Sequence, residues 1–138
     1  MMIRVLVVLA GLGIGAAAQQ AAAPPKLDIP KNMKAYFVAT LVAASEPKTL
    51  PKEEAGGLTY QHLAYIRSQV EAGKYLVVGP FTDNGKIRGM AIVSAASMDE
   101  ARRILEADPM VTSGQMTIEI HPAVLPDLSG VKTDYPAK

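Results

Sequence analysis

The sequence predicts an α+β domain in which an antiparallel sheet of four strands carries two helices on one face. Three observations lead there. Residues Tyr60 to Phe81 change from a helical to a strand pattern through Ala72-Gly73-Lys74. Asn84-Gly85 accepts the positive φ angles of a hairpin turn between two apolar runs. Ser97-Met98-Asp99-Glu100 is a capping box, which opens a second helix ahead of one more alternating strand.

The first element is Ala35 to Ala43, a strand with Phe37 and Leu41 on one face and Tyr36, Val38 and Val42 on the other. Apolar residues on both sides place it inside a sheet that is covered twice. Ser45 to Gly57, with two prolines and a Gly-Gly, is expected to be a loop, and Thr59 to cap the helix that follows. In that helix Leu63, Ile66 and Val70 define a buried stripe, with His62 on its flank. Gly73 ends the helix as a C′ residue, and Tyr75-Leu76-Val77-Val78 is a strand.

After the turn, Ile87 to Ala95 alternates Arg88, Met90, Ile92 and Ser94 against the small set Gly89, Ala91, Val93 and Ala95, over which a helix can pack closely. The second helix runs through Ala107 on a stripe of Ala101, Ile104 and Leu105, and Pro109 stops it. Gln115 to His121 is the last strand, with one wetter face, and the tail beyond Pro122 shows no periodicity. The order is the ferredoxin-like βαββαβ. Two helices cover only one face, so the apolar residues on the other predict a homodimer with its sheets face to face.

Composition limits the functional classes. The 138 residues, 49% hydrophobic and 20% charged, suit one packed domain. A net charge of +1 without a basic, aromatic-interleaved run argues against nucleic acid as a partner. The absence of cysteine removes disulfides, thiolate metal sites and a cysteine nucleophile. Arg4, the apolar core Val5 to Ile14 and Ala16-Ala17-Ala18 read as a cleavable signal peptide, too short for a spanning helix, so no stable membrane anchor is expected after cleavage. The domain plan is a signal peptide at 1–18, a flexible leader at 19–31, the α+β domain at 32–122 and a C-terminal tail at 123–138. The expected location is periplasmic or secreted.

The candidate site residues stand out by breaking local rules. Asp108 follows Ile104 and Leu105 with the phase of the buried stripe, yet is a carboxylate at a helix end, where the macrodipole disfavours it. Its bland alternative is a residue that has left the helix before Pro109 and bonds the next turn. His62 offers the best general acid or base in the chain, against the alternative of a satisfied core histidine. Gly79 and Pro80 bring backbone close to a ligand or simply end a strand; Gln69 and Arg88 supply polar contacts or are solvated surface. His121 reads as surface, and two histidines on separate elements form no metal motif.

Three pieces in order, His62-Leu63-Ala64-Tyr65-Ile66, Glu71-Ala72-Gly73-Lys74 leading to Gly79-Pro80, and Met98-Asp99-Glu100-Ala101 leading to Ala107-Asp108-Pro109, resemble the YCII-related proteins, a branch of the dimeric α+β barrels. The resemblance runs from about Ala35 to about His121. It implies that His62 and Asp108 are the active-site pair, and that the chemistry needs no cofactor. The chain departs from familiar members at Met110, where an aromatic residue is common, in its leader, and in the longer Ser45 to Gly57 segment. Two functions follow: a cofactor-independent enzyme that moves protons on a small cyclic or aromatic molecule in an isomerase- or lyase-like step, or a non-catalytic dimeric module holding a small ligand.

Overall fold

The computed structural model describes residues 28–135; the signal-peptide and leader expectations over 1–27 lie outside them. The elements are β1 (Met33–Ala43), α1 (Lys52–Glu71), β2 (Tyr75–Pro80), β3 (Ile87–Val93), α2 (Met98–Glu106), a one-turn α3 (Pro109–Thr112) and β4 (Met116–Pro126). All strand pairs are antiparallel, in the order β2-β3-β1-β4. This is the ferredoxin-like arrangement, with the first and third strands at the centre.

Pairing of Phe37 with Val93, Ala39 with Ala91 and Leu41 with Gly89 puts the small β3 residues and the Phe37 set of β1 on one face. Ile66 of α1 and Leu105 of α2 join Ala39, Tyr75, Ala91 and Val93 in the core, so both helices lie on that face. Small side chains let the helices approach: Ala39, Ala91 and Ala101 are fully buried. Gly89 has no room for a methyl group, since a Cβ there would stand 2.8 Å from the Gly79 carbonyl oxygen.

Local signals set the element ends. Gly73, at φ 68°, closes α1 in a Schellman motif: its N–H reaches the Val70 carbonyl and the Lys74 N–H the Gln69 carbonyl. Asn84 takes φ 57° in the hairpin, where Asp83 accepts from the Gly85 N–H at 3.1 Å. Ser97 accepts the Glu100 N–H at 3.1 Å, and Glu100 in return accepts the Ala96 N–H and Lys74 Nζ, both at 2.8 Å.

Three expectations are corrected. Helix α1 begins at Lys52, so Gly56 and Gly57 lie inside it, and Thr59 donates its hydroxyl to the Ala55 carbonyl instead of capping. The helix formers at Lys52 to Ala55, with Glu53 and Glu54 at the positive end of the dipole, outweigh the glycine cost of about 1 kcal/mol each. Leu63 is 42% exposed and not part of a closed stripe, because it overhangs a cavity at the end of the sheet. Strand β4 does not stop at His121 but pairs with β1 through Pro122 as far as Pro126. A proline fits a ladder where its nitrogen faces away from the partner, and β4 is an edge strand with β1 alone beside it.

Candidate active site

His62 stands in the middle of α1, and Asp108 precedes α3, 46 residues later. His62 Nδ1 lies 2.8 Å from Oδ1 and 2.8 Å from Oδ2 of Asp108, so the imidazole N–H is shared by both carboxylate oxygens. The carboxylate is 3% exposed as a residue, and the only buried charged group among the described residues. Its Oδ1 also accepts the Met110 N–H at 2.8 Å, which makes Asp108 the N-cap of α3. The macrodipole expectation is thereby reversed: Asp108 meets the positive end of a new turn, not the negative end of α2. The turn-capping alternative is thus observed, and the same side chain also holds His62.

What fixes the pair is the contact between α1 and the end of α2. Tyr65, one turn after His62, donates its hydroxyl to the Ile104 carbonyl at 2.5 Å. That carbonyl is among the last of α2, with no helical N–H of its own to accept. The bond therefore ties the turn that carries His62 to the turn before Asp108. Tyr75, buried under the same helices, completes the surroundings. Burial, then the Tyr65 phenol and the Asp108 carboxylate, push the Tyr75 phenol far above its ordinary pKa. Burial and Asp108 raise Tyr65 as well. Both phenols stay neutral, and Asp108 is left as the one negative charge in this neighbourhood.

On its other side His62 lines a cavity of about 160 Å³ between α1 and the open end of the sheet. Leu41, Leu63, Ile66, Val78 and Met116 supply an apolar wall. Of the other candidates, Gly79, Pro80 and Arg88 also line it. Arg88 shares strand parity with Met90 and Ile92, whose side chains take the sheet face away from the helices. Gln69 does not line the cavity; its side-chain amide donates to Ser68 Oγ at 3.2 Å. It has the angular phase of His62 but lies about 10 Å further along the helix, toward the closed end of the sheet. His121 is exposed on β4, and the described residues hold no group of three or more His, Asp or Glu side chains spaced for a metal ion.

The cavity also contains Tyr135, from the tail. No periodicity in the sequence announces it. Tyr65 does carry a sequence signal: it shares the flank of His62 at i+3, within the helix that leads into Gly73.

A βαββαβ sheet with a helix-borne histidine held by a buried aspartate beside an apolar cavity defines an α+β domain with a candidate site for a small molecule. The chain belongs to the family of the YCII-related domain, whose model matches residues 37–122. Comparison with curated proteins gives no significant match. Among solved structures the chain is similar to a 5-chloro-2-hydroxyhydroquinone dehydrochlorinase from Burkholderia phenoliruptrix AC1100, in complex with 2,5-dihydroxybenzoquinone: TM-score 0.46, 22% identity, with 62% of this chain and 90% of that chain covered.

Proposed function

We propose that this protein is a proton-transfer enzyme for a small molecule, with His62 as general base and acid and Asp108 as the residue that positions it. The observation that carries the reading is the double contact of Nδ1 with both Asp108 oxygens while the same ring lines a cavity. A carboxylate that accepts Nδ1–H holds the proton there and leaves the Nε2 lone pair for the cavity. Nε2 then takes a proton from an acidic C–H or O–H of the bound molecule, and Asp108 stabilises the imidazolium formed. Return of that proton to a different atom gives an isomerisation; departure of a leaving group with its electron pair gives an elimination. Neither step requires a cofactor. Such positioned proton transfer contributes roughly a hundred- to ten-thousandfold in rate.

The test is a screen of isomerisation and elimination substrates with the unmutated protein, His62→Ala and His62→Gln. Turnover that disappears in both variants, at unchanged melting temperature, is the expected result. Turnover that survives in both removes His62 from the chemistry, and binding without turnover in all three makes the chain a ligand-binding module.

The active form in this reading is a homodimer. Support comes from the sheet face away from the helices, where Val38, Val42, Met90 and Ile92 are only half-buried. A second sheet against that face would bury these groups. Export is supported by the signal-peptide pattern over 1–18. Intact-mass measurement on fractionated cells should find the chain beginning at Gln19 outside the cytoplasm, and a cytoplasmic species starting at Met1 would contradict it.

A further inference from the structure

The segment after β4 lies outside the residues that match the family domain, 37–122, yet it delivers a side chain to the cavity of His62. It is held at three places. Lys34 Nζ meets Asp127 Oδ2 at 2.8 Å. The Leu128 N–H donates to the phenol oxygen of Tyr36 at 2.8 Å, on a ring that is 4% exposed. The Thr133 hydroxyl bonds the Leu76 carbonyl. Leu76 belongs to β2 and Pro126 to β4, the two opposite edges of the sheet. The segment thus runs from edge to edge, and two residues past its last anchor Tyr135 packs against the core and enters the cavity.

We propose that Tyr135 is a ligand-contacting specificity residue, the wall that restricts the His62 cavity to a flat, one-ring, largely apolar molecule bearing one acidic group. The proposal rests on the reading of His62 as the proton carrier, which gives the acidic group its place at Nε2. The cavity, about 160 Å³, is close to the roughly 150 Å³ at which an apolar protein cavity takes up benzene. Apart from the imidazole, the phenol and Arg88, the side chains of its wall are hydrocarbon or thioether, and an aromatic wall favours a planar guest by offset stacking. The wall belongs to a segment outside the sheet and the helices, with exposed residues such as Val131, 46% accessible.

The experiment uses the full chain, with phenol and 2-naphthol as one- and two-ring probes and ligand-observed NMR as the readout. The unmutated protein should bind phenol in preference to 2-naphthol. Tyr135→Ala should weaken phenol by about tenfold, the effect of losing one aromatic contact, and reverse the preference. Tyr135→Phe, which keeps the ring, should preserve it. An unchanged preference in Tyr135→Ala overturns the proposal, as does failure of the unmutated protein to bind phenol. Should Tyr135→Ala not fold, Tyr135→Trp fills the cavity and must exclude phenol; retained binding again overturns it. Ring-size preference is read from binding and needs no turnover, so the role of the wall is tested separately from proton transfer by His62.

Discussion

The Asp108 carboxylate serves two helices at once, accepting the Met110 N–H that opens α3 and holding His62 Nδ1 of α1 at 2.8 Å from each oxygen. Exchange of Asp108 for Asn separates these duties. The amide oxygen still caps α3, but the amide NH₂ faces Nδ1 and selects the tautomer that carries its proton on Nε2. Turnover is expected to fall roughly a hundred- to ten-thousandfold, with a stability loss of about 1–2 kcal/mol from the missing charge-assisted bond. Imidazole ¹⁵N shifts report the tautomer directly, and an unchanged pattern would show that Asp108 does not set it.

Tyr65→Phe removes the hydroxyl that joins α1 to the Ile104 carbonyl. A cost of about 1 kcal/mol in chemical denaturation is expected, since the carbonyl is left without its partner. Turnover should drop further than that figure implies, because the spacing of His62 and Asp108 depends on the same contact. If kcat is unaltered while stability falls, Tyr65 holds the fold and not the pair.

Gly89→Ala places a methyl group 2.8 Å from the Gly79 carbonyl oxygen, which belongs to the neighbouring strand and cannot swing aside. Overpacking of this kind costs about 1–3 kcal/mol. Thermal unfolding measures it, and a variant as stable as the parent would mean that β2 and β3 separate easily at the cavity.

A second charged contact gives a pH signature. The Lys74 ammonium, followed by the Ala96 N–H, holds the Glu100 carboxyl below its ordinary range in the folded state. Its contribution to stability is therefore present above the unfolded carboxyl value of about 4.3 and lost as pH falls through the lower folded value. Glu100→Gln should lower the melting temperature at pH 7 and differ less from the parent below about pH 4. A difference that grows with acidity would contradict the assigned sign.

Val38→Asp tests the dimer, because Val38 lies at the centre of the face without helices, paired with Ile92 on one side and His121 on the other. Light scattering should show a dimer for the parent and a monomer or unfolded chain for the variant. A monomeric parent removes the face-to-face assembly.

The fold was legible because its boundaries are written in short-range chemistry. Gly73, Asn84-Gly85 and the Ser97 to Glu100 box each act within a few residues, and the structure uses all of them. His62 and Asp108 were legible for the opposite reason, as polar groups in apolar phase. What stayed hidden depends on distant partners. The extra turns of α1 run through Gly56 and Gly57 against local propensity, and the single turn of α3 is too short to show a period. Continuation of β4 past Pro122 follows from its place at an edge, which only the strand order reveals. Tyr135 reaches its cavity through bonds to Tyr36 and Leu76, whose positions the tail's own sequence does not encode.

The prolines of the outer strands have a consequence for how the molecule behaves in a crowd. Pro122 and Pro126 remove two donors from the free side of β4, and Pro80 removes one from β2, where Thr133 also occupies the Leu76 carbonyl. Each open margin of the sheet is a poor template for an incoming backbone, whether from a neighbour, a peptide or an unfolded copy. Addition of strand upon strand, which once begun at an edge continues without limit, is thereby disfavoured at both sides of the sheet.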